Sequence, residues 1–313
     1  MKLIRAEGLT RRFGQNVAVD TVDLQVDPGE IYGFLGPNGA GKSTMVKMLC
    51  TLLKPTAGQA WIAGTDVLDR PGDVRLQIGV ALQEASLDPK MTGREIVTTQ
   101  GRLFGLRAAE INQRIDELAH LVDMSAFDNL VGTYSGGMKR RLDLAASLVH
   151  NPDVLFLDEP TTGLDPPGRL QVWEEVRRLN RELGMTVFLT TQYLEEADEL
   201  ADRVGIIDRG RIAAEGSPEQ LKRSIGDDVV VVRTAVNHEE VVNVLSGVPS
   251  VDQVETFEGE VRAATKHGGR ALSPVAVALD GAGIKVDELA LRTPTLDDVF
   301  LEVTGSHLEG GDS

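Results

Sequence analysis

Through the middle of the chain, apolar residues fall in short uniform runs separated by longer mixed stretches. Residues 31–35 (IYGFL) form one such run, bounded by Gly29 and Gly36, and residues 154–157, 185–189 and 204–207 repeat the signature. A strand covered on one face alternates; a strand covered on both faces reads as a continuous apolar run. The spacers 166–183 and 193–201 read as helices, and in the second Leu194, Ala197, Leu200 and Ala201 share one helical face. Buried strands alternating with helices predict an α/β layer built on a mainly parallel sheet. A further strand is expected at 77–82. Residues 3–9 and 17–26 instead alternate apolar and polar positions, which predicts an antiparallel β subdomain with one wet face. Residues 94–121 read as helical with a break near Gly105, inside a helical subdomain of about 86–150.

The pattern changes near Gly226. From there the chain reads strand (228–234), helix (238–245), strand (251–257), strand (260–264), helix (272–279), strand (284–291), with a short closing helix at 296–302. The order β-α-β-β-α-β predicts a small α+β ferredoxin-like unit. The expected organisation is an α/β domain over 1–225, an accessory domain over 226–305 and a frayed tail over 306–313.

Composition narrows the classes. A net charge of −16 on 313 residues disfavours a nucleic-acid backbone as partner. The acid is uneven: residues 227–313 carry 16 Asp/Glu against 6 Lys/Arg, so −10 lies there. A well-solvated surface accounts for it. Cys50 is the only cysteine, so no internal disulfide forms and a reducing cytosol is expected. No apolar run approaches the roughly 18 residues of a membrane span, and the first residues lack a secretory pattern. A membrane role therefore needs a partner.

The chemistry sits in three strings. Gly36, Pro37, Asn38, Gly39, Ala40, Gly41, Lys42 and Ser43 fit G-x-x-x-x-G-K-[ST] directly after a predicted strand. Glycines there let backbone N–H groups turn toward a polyanion, and the helix that follows aims its positive end at the same point. Lys42 is expected on the outer phosphates, Ser43 on Mg²⁺ and Thr44 on an inner phosphate. Second, LFLDE at 155–159 ends a buried strand with Asp158, expected to act on Mg²⁺, and Glu159, expected to orient or deprotonate the attacking water. Third, Ser135, Gly136 and Gly137 stand before a helix carrying Leu142, Ala145, Ala146 and Val149 on one face. Ser135 reads there as an N-cap.

Over residues 1–225 these strings resemble the ATP-binding cassette (ABC) ATPases. The resemblance implies a P-loop NTPase fold, ATP and Mg²⁺ as ligands, and two ATP molecules held between head-to-tail subunits. Tyr134-Ser-Gly-Gly-Met resembles that family's LSGGQ string, which implies that Ser135 and Gly137 contact the γ-phosphate held by the other subunit. Tyr134 and Met138 depart from the commonest form. By the same resemblance Gln83 is the lid glutamine and a Mg²⁺ ligand. Asp165 shapes the subunit interface, and Phe13 stacks on adenine. Gln192 stands where the family usually has histidine. A glutamine can donate a hydrogen bond to phosphate but does not titrate near neutral pH. Gln192 is therefore expected to position phosphate while Glu159 handles the proton.

The closing segment 291–305, the stretch 140–149 and Gln192 in TTQYL are similar to the daunorubicin-resistance-type export ATPases. That implies a drug, antibiotic or lipid-like cargo. It also implies a homodimer or ABC heterodimer, a separate integral membrane permease docking near Gln83, and a cytoplasmic position peripheral to the membrane. Two other readings stay open: a weakly hydrolytic regulatory subunit, favoured by Gln192, and a soluble ABC protein acting outside transport. The five histidines show no metal-ligand spacing, and Trp61 and Trp173 read as packing residues.

Overall fold

The computed structural model describes residues 2–82, 87–121, 126–257, 259–266 and 268–305. The chain divides between Pro218 and Glu219 into two compact units. In the first, the order is β1 (Ile4–Phe13), β2 (Asn16–Val26), β3 (Ile31–Leu35), α1 (Lys42–Leu49), β4 (Ala57–Ile62), β5 (Thr65–Asp66), α2 (Pro71–Gln77), β6 (Ile78–Ala81), α3 (Gly93–Leu103) and α4 (Ala108–Leu121). It continues with α5 (Gly136–Leu148), β7 (Val154–Asp158), α6 (Pro166–Leu183), β8 (Thr186–Thr191), α7 (Leu194–Leu200), β9 (Arg203–Asp208) and β10 (Arg211–Gly216).

Six strands form the central sheet in the order β10-β9-β3-β8-β7-β6. Five of them run parallel and β10 closes one edge antiparallel to β9. Every residue of β3, β7 and β8 is buried, which is why IYGFL, VLFL and VFL within them read as unbroken apolar runs. Phe188 holds the middle of the sheet, stacked on Tyr32 at 5.5 Å and tilted against Phe156 at 5.6 Å. A second sheet, β2-β1-β4-β5, is antiparallel, and alternate residues of β2 reach the core. Its buried side chains join those of α1 in one apolar cluster, while α3 to α6 bury against the parallel strands in another. Gly105, in left-handed backbone (φ 80°), supplies the expected break between α3 and α4.

The second unit holds α8 (Pro218–Ile225, all but its first residue), β11 (Asp228–Arg233), α9 (His238–Leu245), β12 (Gln253–Phe257), β13 (Glu260–Thr265), α10 (Gly268–Gly281), β14 (Glu288–Arg292) and α11 (Leu296–Thr304). Its sheet is antiparallel in the order β12-β13-β11-β14, the arrangement of a ferredoxin-like unit. Val230, Val232, Val241, Leu245, Val275 and Leu279 lie in its core.

Two expected strands are shorter than their apolar patterns. Gln77 ends α2, so the strand expected over 77–82 starts at Ile78. Ile284 donates its N–H to the Leu279 carbonyl (3.0 Å) after a left-handed Gly283 (φ 70°), so it closes α10 and β14 begins only at Glu288.

Candidate nucleotide site

The loop 36–41 leaves the carboxyl end of β3 and enters α1, where Gly41 is the N-cap in left-handed backbone (φ 115°). Glycine is required at both ends of the loop. A Cβ on Gly36 would overlap the Ile207 carbonyl oxygen, and one on Gly41 would overlap that of Ala18. Pro37, Asn38 and Gly39 form the outward part, with Asn38 and Gly39 exposed, and Ala40 turns inward. Lys42 is buried to 4% exposure; its Nζ donates to the carbonyls of Gly36 (2.7 Å) and Pro37 (3.2 Å). Burial pulls its ammonium below the usual lysine range, opposed by Glu159 and then Asp158. Thr44, two positions on, is half-buried.

The carboxylates arrive from β7, two strands over. Because β8 lies between β3 and β7, the end of β8 faces both strings. Ser43 Oγ donates to Asp158 Oδ1 (3.2 Å), and Thr190 Oγ1 donates to the same oxygen (2.5 Å). Glu159 follows in left-handed backbone (φ 49°) and sets Oε1 3.5 Å from Lys42 Nζ. Lys42, Ser43, Asp158 and Glu159 thus converge beyond the carboxyl ends of the parallel strands, where ligands bind in open α/β sheets. Thr190 belongs to this group and sequence reasoning missed it. Its place depends on the register that sets Asp158 opposite Thr190, and no local pattern encodes that.

The remaining expected residues lie elsewhere. Ser135 caps α5 by accepting the Met138 N–H (3.2 Å), with Ser135 and Gly136 exposed. No recorded hydrogen bond among the described residues joins Ser135, Gly136 or Gly137 to the loop of their own chain. Tyr134 is buried; its hydroxyl donates to the Ala126 carbonyl, and a Cβ at Gly93 would stand 2.7 Å from it. Tyrosine at 134 therefore anchors the loop before α5. Asp165 is exposed and caps α6 through the Gly168 N–H (3.2 Å). Phe13 ends β1, 46% exposed, with the Arg11 guanidinium 4.4 Å over its ring. Gln192 follows β8, half-buried and without a hydrogen bond to another described residue. Gln83 lies outside the described residues.

A phosphate-cradling loop opening a helix, beside a strand that ends in two carboxylates, defines a P-loop nucleotide hydrolase. The profile of the family described as "ABC transporter" matches residues 19–162, and that of the "ATP-binding protein DrrA1-3-like, C-terminal domain" matches residues 216–304. The daunorubicin resistance ATP-binding protein DrrA2 of Streptomyces coeruleorubidus is 46% identical over 98% of this chain and 96% of its own length. The Nod factor export ATP-binding protein I of Cupriavidus metallidurans is 37% identical over 98% of each. Among solved structures, cbiO1 from Clostridium perfringens, part of the ABC transporter complex cbiONQ, aligns with a TM-score of 0.66 at 25% identity. That alignment covers 79% of this chain and 96% of cbiO1. The chain belongs to the ABC transporter ATP-binding proteins, in the branch that carries the DrrA-type C-terminal domain. It is an ATPase and the nucleotide-binding subunit of a transporter.

Proposed function

We propose that this subunit powers export of an amphipathic drug, antibiotic or lipid-like compound through a separate membrane permease. The supporting observation is the convergence of Lys42, Ser43, Asp158 and Glu159 at one point while Ser135 and Gly136 stand exposed, with Gly137 half-buried beside them, on another element. Half of the phosphate-binding equipment then faces outward, available to a nucleotide held by a second subunit.

The residue roles follow. Lys42 and the backbone N–H groups of 36–44 hold the β- and γ-phosphates, with the dipole of α1 behind them. Ser43 and Asp158 present hydroxyl and carboxylate oxygens 3.2 Å apart, the hard donors that suit Mg²⁺, with Gln83 the further candidate ligand. When bound, Mg²⁺ would neutralise charge on the phosphate oxygens. Glu159 takes the proton of the attacking water, and Gln192 orients the γ-phosphate. Phe13 stacks on adenine, and its Arg11 partner yields that ring face. Ser135, Gly136 and Gly137 cap the γ-phosphate of the partner copy, and Asp165 shapes the contact between copies. Such a dimer, of identical or related subunits, is tight only while the γ-phosphate bridges it, so hydrolysis becomes motion. A dimeric relative of similar fold, the ATP-binding cassette MJ0796 in a post-hydrolysis state with ADP and Pi, supports that reading at a TM-score of 0.61 and 25% identity. That alignment covers 68% of this chain and 98% of MJ0796.

No helix of the described residues is long and apolar enough to cross a membrane. Transport therefore requires the permease, and this subunit works peripherally on its cytoplasmic side. The helical subdomain of about 86–150 is the docking region. A drug or lipid-like cargo is favoured by the names of the relatives, daunorubicin resistance and Nod factor export. The test is ATP-dependent accumulation of daunorubicin in inverted vesicles carrying this subunit and the membrane protein that co-purifies with it. Accumulation lost with Lys42→Ala supports the reading; robust ATPase without transport of any amphipathic probe refutes the cargo. A weakly hydrolytic regulatory subunit is the second reading, and Gln192 favours it because an amide cannot take up a proton at neutral pH.

A further inference from the structure

We propose that Thr190 is a positioning residue for ATP hydrolysis. Its hydroxyl holds the carboxylate of Asp158 and the backbone of Glu159 in one rigid unit. The inference rests on the roles given above to Asp158 and Glu159, and names the group that keeps them in register.

Thr190 is fully buried near the carboxyl end of β8, the strand between the one that leads into the phosphate loop and the one that bears the carboxylates. The parallel register sets it opposite Asp158 on one side and Phe34 on the other. Its Oγ1 lies 2.5 Å from Asp158 Oδ1 and 3.1 Å from the Glu159 backbone nitrogen, and its carbonyl oxygen accepts the same Glu159 N–H at 3.0 Å. The proton positions are forced. A backbone N–H can only donate and a carboxylate can only accept, so the hydroxyl accepts from Glu159 and donates to Asp158. One side chain therefore reads both functional residues at once.

Glu159 needs that hold. It adopts left-handed backbone (φ 49°), a strained conformation for a residue with a Cβ. Two acceptors from Thr190 on its single N–H offset the strain and fix the direction in which the side chain leaves the strand. Asp158 has a second hydroxyl partner, Ser43, at 3.2 Å. The Ser43 oxygen is a candidate metal ligand, so its bond to Asp158 is open to competition. Thr190 is not itself an expected ligand, so its bond to Asp158 faces no such competition and keeps that carboxylate oriented throughout the cycle. Valine at 190 would keep shape and burial and remove only the hydroxyl; serine would keep the hydroxyl and remove a methyl.

The experiment compares wild type, Thr190→Val and Thr190→Ser for steady-state ATPase and for Mn²⁺ binding in the presence of ADP, followed by electron paramagnetic resonance. Thr190→Val is expected to lower kcat about tenfold or more, because a misdirected catalytic group loses rate even after small displacements. KM for ATP should stay within about twofold, since the phosphate loop is untouched. Mn²⁺ affinity should fall several-fold through Asp158, and Thr190→Ser should restore both readings to near wild type. If Thr190→Val does not fold, Thr190→Ala against Thr190→Ser makes the same comparison of hydroxyl lost and kept. Wild-type kcat and Mn²⁺ affinity in the folded valine or alanine variant would overturn the proposal. So would a serine variant as impaired as the one without the hydroxyl, which would assign the effect to packing. Wild-type protein without ATPase activity would instead undo the roles of Asp158 and Glu159, a separate failure.

Discussion

The ammonium of Lys42 stands 3.5 Å from Oε1 of Glu159, with the two side chains only 4% and 9% exposed. Glu159 heads the influences that hold the Lys42 ammonium up against burial. In the roles proposed for the pair, phosphate oxygens would compete for the same lysine, and a lysine drawn to them would free the glutamate for water. Glu159→Gln is expected to abolish turnover, by a factor of at least about 100, and to accumulate an ATP-bound dimer on size-exclusion chromatography. Lys42→Ala is expected to lose both turnover and nucleotide-driven pairing. Equal ATPase rates in all three proteins would remove the catalytic roles.

The role proposed for Gln192 bears on the pH response of the reaction. With glutamine there, no group at that position titrates near neutral pH. Gln192→His is expected to raise kcat about tenfold and to add an ionisation near the ordinary histidine value of about 6.5. The pH–rate profiles of the two proteins check it: identical profiles and identical ATP affinity would mean that position 192 takes no part.

Asp143 gives the fold a measurable linkage to pH. It lies on α5 with its side chain 18% exposed, 3.3 Å from Arg140 Nη1. Burial pushes its carboxyl from 3.8 up to about 6, and Arg140 opposes only part of that. A raised folded-state value means that the native protein binds the proton more tightly. The stabilisation is full below 3.8 and is lost as pH rises through about 6. Asp143→Asn removes this slope. The stability difference between the two proteins should change by about 2 kcal/mol between pH 3.8 and 6, as urea unfolding would report. A constant difference across that window would refute it.

Tyr134→Phe tests the anchor before α5. The buried hydroxyl donates to the Ala126 carbonyl, so its removal should cost about 1 kcal/mol and leave that carbonyl short of a partner. The ATP-driven dimer should weaken with ATP binding to the monomer unchanged. A dimer of unchanged strength would show that Ser135 needs no such anchor.

Gly41→Ala tests the loop. A Cβ there meets the Ala18 carbonyl oxygen and the backbone is left-handed. A loss of stability of about 2 kcal/mol or more and a loss of ATP binding are expected together. Calorimetry and nucleotide titration check the pair.

Much of the fold was legible because burial writes itself into composition. The segments of β3, β7 and β8 are covered on both faces and contain almost nothing polar before their ends, while β2 alternates as a one-sided strand must. α2 and α8 went unread: each is short and carries one buried side chain, Val74 and Leu221, too little to show a period. Lys42, Ser43, Asp158 and Glu159 were legible because their strings combine residue type, spacing and a preceding strand.

The sequence by itself determined the strings proposed to handle phosphate, the alternation of buried strands with helices, and a change of architecture near Gly226. Each depends on chemistry local to a few consecutive positions. Only the tertiary structure decided that β8 is inserted between β3 and β7, that Thr190 therefore meets both carboxylate-bearing residues, and that Tyr134 reaches Ala126. Those contacts join elements up to 32 residues apart in the case of Asp158 and Thr190, and strand order and register alone bring them within hydrogen-bond distance.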